Sequence, residues 1–137
     1  MILKVENIAK SFDGFVAVAG VSFQVNKAEL CSIIGPNGAG KTTLFNLITG
    51  HLPLDRGRVI FNDTDISHLP AHKICRLGLG RSFQRINFFP KLTVFENIQA
   101  AVLTHRGKSL DFFSLVEPLF KAETEEILER VGLQEHR

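Results

Sequence analysis

The 137-residue chain has few of the features that mark exported or membrane-spanning proteins. Its two cysteines, Cys31 and Cys75, form no Cys-x-x-Cys pair, so we expect both to be reduced thiols in the protein core. No run approaches the roughly 18 to 20 uncharged apolar residues of a membrane-spanning helix, and the N-terminus has no apolar signal core. These absences predict a soluble, unexported chain in the cytoplasm.

The chain also has no block of positive charge, and it contains no tryptophan or tyrosine beside its 12 phenylalanines. Sixteen Lys and Arg against 14 Asp and Glu leave a net charge of +2, which suggests no nucleic-acid partner. His68 and His72 are four residues apart, but Pro70 lies between them and no carboxylate motif accompanies them, so solvated histidines are favoured over a metal site. A hydrophobic fraction of 45% is typical of a globular domain.

The pattern of apolar residues predicts β-strands within the first 35 residues. Apolar and polar residues alternate up to Val25, and the pairs Asp13-Gly14 and Asn26-Lys27 are typical of turns, which predicts antiparallel pairing. From Leu30 to Gly35 the apolar residues become continuous. That pattern is typical of a strand buried on both faces, as in a parallel sheet.

Four further elements are predicted before residue 85, each from its apolar spacing and its turn residues. They are a helix over Lys41–Ile48 ending near Gly50, a hairpin over Asp55–Ile66 built around Val59 and Phe61, a helix from Pro70 to Leu77 closed by Gly78, and a strand over the sequence GRSFQ that ends at Gln84.

The pattern is helical from Arg85 onward. Thr93 and Glu96 form a capping-box sequence that opens a helix. A last helix is predicted from about Leu119 to Val131 and closed by Gly132. The inward residues of these two helices are predicted to be Val94, Phe95, Ile98 and Val102 in the first and Ile127, Leu128 and Val131 in the second, where Glu126 and Arg130 pair outward. The change of pattern predicts a boundary near Gln84.

The sequence from Gly35 to Thr43 has the phosphate-loop spacing, in which Gly40 and Lys41 follow Gly35 after four residues. It lies between a predicted buried strand and a predicted helix, the context in which this motif binds phosphate. Glycines let the backbone N–H groups approach a polyphosphate, and the helix N-terminus adds partial positive charge. An ordinary glycine-rich turn is the alternative, and the context favours phosphate binding.

The stretch GPNGAGKTTL resembles the phosphate loop of ATP-binding cassette (ABC) ATPases, including the variable positions Asn37 and Ala39. The resemblance implies an α/β fold of the P-loop NTPase class, in which residues 1–84 form an antiparallel β subdomain and part of a RecA-like nucleotide-binding core, and residues 85–137 begin a helical subdomain. It implies that ATP and Mg²⁺ are the ligands. The nucleotide contacts that it implies in this loop are Gly35, Asn37, Gly38, Ala39, Gly40, Lys41, Thr42 and Thr43.

Within this resemblance, individual residues take defined roles. Lys41 neutralises the β- and γ-phosphates, Thr42 binds Mg²⁺ and Thr43 donates to the α-phosphate. Phe12 stands where an aromatic ring stacks on adenine, in place of the commoner Tyr, and Val18 lines the same face. Without the resemblance, Phe12 would be interpreted as one more strand phenylalanine.

GRSFQ resembles the Q-loop, so Gln84 is expected to contact Mg²⁺ and the attacking water; taken alone, it would be a polar strand end. The longer stretch from Asp63 to Ile98 is most similar to cassettes of branched-chain amino acid importers, in which the segment from Asn87 to Lys91 lies near the transmembrane partner. Phe88 and Phe89 are therefore candidates for partner contact, with burial in the core as the equal alternative.

Three features of a complete cassette are absent from the sequence: an apolar strand ending in Asp-Glu, a Leu-Ser-Gly-Gly-Gln signature and the switch histidine. The chain therefore resembles the N-terminal half of a cassette. One hypothesis is an importer's ATP-binding subunit at the inner face of the membrane, with permease subunits and a second ATP-binding subunit as partners. The other is a nucleotide-binding or subunit-interaction module without turnover. A P-loop kinase would need clustered lid arginines, and Arg76, Arg81 and Arg85 do not obviously form such a cluster.

Overall fold

The computed structural model describes residues 1–82, 88–107 and 120–133, and the chain divides into two compact units, Met1–Ser82 and Phe83–Arg137. Among the described residues, the first unit has four strands and two helices, and the second has two helices. The strands are β1 (Leu3–Phe12), β2 (Phe15–Val25), β3 (Arg56–Phe61) and β4 (Thr64–Asp65), and the helices are α1 (Lys41–Ile48), α2 (Ala71–Arg76), α3 (Val94–His105) and α4 (Lys121–Arg130).

The strands form one antiparallel sheet in the order β2-β1-β3-β4. Asp13-Gly14 connects β1 to β2, and Asn62-Asp63 connects β3 to β4. All four turn residues have positive φ, between 45° and 87°, which matches the twist of a tight hairpin and suits Gly, Asn and Asp. The predicted antiparallel strands and the predicted hairpin are confirmed.

The core of the first unit combines side chains from the sheet, α1 and α2. Leu44, Leu47 and Ile48 are buried at the helical spacing that the sequence predicts. They belong to one cluster with Val5, Ile8, Val18, Val59, Phe61, Ile66 and Ile74. Since α1 contributes three of these residues, its orientation is fixed by the core, and so is the position of its first turn.

The predicted buried strand from Leu30 to Gly35 is wrong. Residues 26–40 form neither helix nor strand, and the side chains of Leu30 and Ile34 are 96% and 93% exposed. A central strand of a parallel sheet needs neighbouring strands at its edges and helices packed on both faces, and no described strand pairs with this segment. Cys31 lies in it and is exposed, as is Cys75 on α2; both are free thiols, but the prediction that they are core residues is wrong.

The predicted ends of α2 and the predicted start of α3 agree closely with the structure. Pro70 precedes α2, and Gly78 follows it with φ of 103°. Before α3, the Thr93 hydroxyl accepts from the Glu96 amide at 3.2 Å, and the Glu96 carboxylate accepts from the Thr93 amide at 2.7 Å. The predicted capping box is confirmed. None of the described helices is long and apolar enough to cross a membrane.

In the second unit α3 packs against α4, with Val102 and Leu128 buried. Arg130 donates to Glu126 at 2.7 Å, which confirms the predicted outward pair. Val131 is 56% exposed, so its predicted inward position is wrong. It follows the last residue of α4, where Gly132, with φ of 69°, ends the helical path.

Of the predicted strand up to Gln84, residues 80–82 are not in a strand, and Phe83 and Gln84 lie outside the described residues.

Candidate functional site

The glycine-rich loop ends where α1 begins, so the N-terminus of this helix lies in the sequence that predicts phosphate binding. Gly40 is the N-cap residue, with φ of 81°, and no side chain caps the first turn. The first amide that is bonded back within the helix is that of Leu44, which donates to the Gly40 carbonyl at 2.8 Å. The preceding N–H groups of the first turn are suited to an anionic ligand.

Gly40 is required by two features of its surroundings. Its positive φ is a conformation that L side chains rarely adopt, and a Cβ at this position would collide with the carbonyl oxygen of Ala17 on β2. The same Cβ would lie 3.7 Å from Cγ2 of Val18. Gly38 also has positive φ, 83°, but its missing side chain would meet open space. The glycines therefore allow the curve of the loop and its close contact with β2.

Lys41 folds over the loop that precedes it. Its ammonium group donates to the carbonyl oxygens of Gly35 and Pro36, both at 2.7 Å. The ammonium is thus held within the loop, where it contributes a full positive charge beside the helix N-terminus. The Ala39 amide donates to the Pro36 carbonyl at 3.3 Å and tightens the same turn.

The other predicted residues of this loop are accessible to a ligand. Gly35, Asn37, Gly38, Ala39 and Thr42 are exposed, and Thr43 is half-buried. The hydroxyl of Thr42 lies in the first turn of α1, where it could supply one oxygen ligand to Mg²⁺. Among the described residues no group of three His, Cys, Asp or Glu could hold a metal ion.

Phe12 and Val18 lie on the hairpin of β1 and β2, in different environments. Phe12 ends β1 and is 42% exposed, so its ring is accessible to a ligand. Val18 is 5% exposed and belongs to the core cluster beside Gly40. The structure gives Val18 a packing role, and contacts of either residue with adenine stay predictions.

Two residues beside Phe12 were not predicted as part of a site. Lys10 places its ammonium 5.6 Å from the centroid of the Phe12 ring and pairs with Asp55 at 2.5 Å. Alternate residues of a strand share a face, so the spacing of Lys10 and Phe12 could have suggested their contact. No local pattern indicates Asp55, which is 45 residues from Lys10.

Gln84 and Asn87 lie outside the described residues, but Phe88 and Phe89 are described and are 58% and 61% exposed. The Asn97 side chain holds this segment: its amide nitrogen donates to the Phe89 carbonyl at 3.1 Å, and its oxygen accepts from the Phe89 amide at 2.8 Å. Neither phenylalanine belongs to the core that the described residues form, and partner contact stays a prediction.

The loop, its lysine and the helix N-terminus together have the arrangement typical of the phosphate loop in P-loop NTPases. The sequence profile described as ABC transporter matches residues 18–137. The chain therefore belongs to the ABC transporter family.

Individual relatives agree with this assignment. The chain is 38% identical over 144 residues to the high-affinity branched-chain amino acid transport ATP-binding protein LivG of Escherichia coli, which covers 98% of the chain and 56% of that protein. It is 39% identical over 129 residues to the probable branched-chain amino acid transport ATP-binding protein LivG of Archaeoglobus fulgidus, covering 94% of the chain and 49% of the relative. The chain thus spans about half the length of these curated relatives.

Solved structures show the same fold. A nucleotide-free ATP-binding cassette from an ABC transporter superposes with a TM-score of 0.78 at 38% identity, covering 98% of the chain and 55% of the cassette. The ADP conformation of the cassette MJ1267 gives a TM-score of 0.80 at 37% identity, with the same coverage. The predicted fold class, an α/β P-loop NTPase of the ABC type represented by part of its length, is confirmed.

Proposed function

We propose that the chain is the nucleotide-binding portion of the ATP-binding subunit of an ABC importer, with branched-chain amino acids as the transported solutes. The observation that carries this proposal is the loop Gly35–Thr43, with the Lys41 ammonium held at the N-terminus of α1. The class of solute is supported by the names of the two LivG relatives.

In this function the residues of the loop bind and orient the triphosphate of ATP. First-turn amides of α1 donate to phosphate oxygens, while Lys41 supplies positive charge near the β- and γ-phosphates. Thr42 would hold Mg²⁺, which when bound offsets phosphate charge. Gln84 is proposed as a second Mg²⁺ contact that orients the attacking water. Phe12 would stack on the adenine.

The 137 residues themselves are expected to bind nucleotide without turning it over. Phosphoryl transfer to water in this class requires an acidic residue for the metal and a carboxylate near the water, and the sequence has no apolar strand that ends in Asp-Glu. A nucleotide-binding module without hydrolysis is therefore the second candidate, and it describes this chain by itself.

Calorimetric titration with Mg-ATP, combined with a phosphate-release assay, tests both candidates. We expect binding that Lys41→Ala abolishes and no release above background. The matched control is Lys73→Ala, which removes an exposed lysine of α2 and should leave binding unchanged. Wild-type binding that survives Lys41→Ala contradicts the proposed site, and turnover that Lys41→Ala abolishes contradicts the second candidate.

The partners proposed are permease subunits and a second ATP-binding subunit, which would place the protein at the inner face of the cell membrane. Phe88 and Phe89 are the proposed permease contact, because both are exposed and Asn97 hydrogen-bonds to the backbone of Phe89. In the complete subunit, Phe88→Ser with Phe89→Ser should reduce co-purification with the permease, while Leu77→Ser, at an exposed apolar position of the first unit, should not. Equal recovery of all three proteins contradicts this contact.

A further inference from the structure

Lys10 and Ser11, near the end of β1, both donate hydrogen bonds to Asp55 beside the Phe12 ring. The Lys10 ammonium lies above that ring, 5.6 Å from its centroid, within the distance of a cation–π interaction. One carboxylate oxygen of Asp55 accepts from Lys10 at 2.5 Å, and the other accepts from the backbone amide of Ser11 at 2.7 Å. Asp55 thus holds the two consecutive residues that precede Phe12.

We propose that Lys10 and Asp55 are positioning residues for the nucleotide base. Asp55 fixes Lys10 and Ser11, and Lys10 covers one face of Phe12, so that a base stacks on the opposite face. This inference rests on the proposed function, in which Phe12 contacts adenine.

The exposure of the side chains supports this arrangement. The side chain of Lys10 is only 12% exposed although it carries a charge, which requires a partner such as Asp55. Phe12 remains 42% exposed, so part of its ring is open to a ligand. A ring that is already held loses less conformational entropy when a base stacks on it, and positioning of this kind improves affinity.

The backbone of Asp55 is also tied to β1. Its amide donates to the carbonyl of Ala9 at 3.1 Å, next to the pairing of Ala9 with Arg56. The hydrogen bond from Lys10, followed by the one from the Ser11 amide, lowers the pKa of Asp55 below its usual value. The carboxylate therefore stays charged at neutral pH and is fixed through both its backbone and its side chain.

The test compares a ligand that has a base with one that lacks it, using calorimetry on the 137-residue chain. Lys10→Met and Asp55→Asn should each weaken ATP binding by roughly three- to fivefold and leave the affinity for inorganic tripolyphosphate unchanged. Lys10→Arg keeps the charge and should restore ATP binding. Lys4→Met is the matched control, because it removes another ion pair of β1, the one with Glu6, and should change neither affinity.

A spectroscopic measurement adds an independent readout. The chain has no tryptophan or tyrosine, so Phe12→Trp introduces its only indole. ATP should quench this indole and tripolyphosphate should not, and adding Lys10→Met should reduce the maximal quenching. That change reports the geometry of stacking and would not follow from a loss of stability alone.

Three results overturn the inference. The first is an equal loss of affinity for ATP and for tripolyphosphate, and the second is an unchanged ATP affinity in Lys10→Met and Asp55→Asn. The third is tighter ATP binding in Lys10→Met, which would mean that Lys10 occupies the face of Phe12 on which the base stacks. In each of these cases the wild-type chain still binds both ligands, and the proposed function stands. A wild-type chain that binds neither ligand overturns the proposed function and this inference together.

Discussion

Gly40 and Ala17 are in such close contact that any side chain on Gly40 would collide with the Ala17 carbonyl oxygen. This contact joins the start of α1 to β2, next to the buried side chain of Val18. The position of the phosphate loop is therefore determined by the sheet as well as by the glycines of the loop itself.

Gly40→Ala should lower the free energy of unfolding by about 3 kcal/mol, since it combines backbone strain with steric overlap. Gly38→Ala is the matched control: its φ is also positive, but its Cβ would meet open space, so about 1 kcal/mol is expected. Urea unfolding without ligand, followed by circular dichroism, measures both. Equal losses for the two variants would mean that the contact with Ala17 has no energetic importance.

The exposure of Leu30 and Ile34 leads to a second prediction. Leu30→Ser combined with Ile34→Ser should change the free energy of unfolding by less than about 0.5 kcal/mol, because neither side chain is buried. Val59→Ala, at a core position that is 1% exposed, should cost about 2 kcal/mol in the same assay. A large loss from the double serine variant would contradict the exposure of these two side chains.

Asn97 is expected to stabilise the segment that precedes α3. Its amide nitrogen donates to the carbonyls of Phe89, Leu92 and Thr93, at 3.1, 3.2 and 2.9 Å. Asn97→Ala should therefore lower the free energy of unfolding by about 1 to 2 kcal/mol and speed amide hydrogen exchange at Phe89. Thr104→Ala on the same helix removes only a bond to the Ala100 carbonyl and should be close to neutral. Unchanged exchange at Phe89 in Asn97→Ala would contradict this role.

Asp65 leads to a prediction about pH. Hydrogen bonds from the hydroxyl and the amide of Ser67, at 2.5 and 2.9 Å, hold the pKa of Asp65 below its ordinary value of 3.8. The unfolded chain therefore takes up this proton more readily than the folded chain. The stabilisation is complete above about pH 3.8 and is lost as the pH falls through the lower, folded pKa.

Asp65→Asn should consequently flatten the fall in unfolding free energy below pH 3.8, and Ser67→Ala should flatten it in part, because the Ser67 amide remains. Denaturant titrations over a range of acidic pH measure the slope. Parallel slopes in the wild type and Asp65→Asn would show that this carboxylate does not contribute.

The sequence predicted best those elements that local residues determine. The capping box of Thr93 and Glu96, the helix that begins at Lys41 and the hairpin of β3 and β4 each depend on a few neighbouring residues, and all three were correct. The phosphate loop was recognisable for the same reason, because its backbone geometry is encoded by closely spaced glycines.

The errors concern burial, which depends on residues that are distant in the sequence. The apolar run that begins at Leu30 predicted a buried strand, but apolar composition does not supply the strands that pair with it or the helices that cover its faces. Val131 has the correct helical spacing, yet it falls after the end of α4. The pair of Lys10 and Asp55 joins residues 45 positions apart, and only the pairing of β1 with β3 brings them together.

One end of α1 faces the glycine-rich loop, and the other end supplies Leu47 and Ile48 to the core. Binding of a phosphate at the first turn would therefore be coupled to the folding of the Met1–Ser82 unit. Unfolding of α1 would release the phosphate and would also remove Leu47 and Ile48 from the core. By mass action, an occupied loop would raise the melting temperature of that unit, so that its ligand would also act as its chemical chaperone.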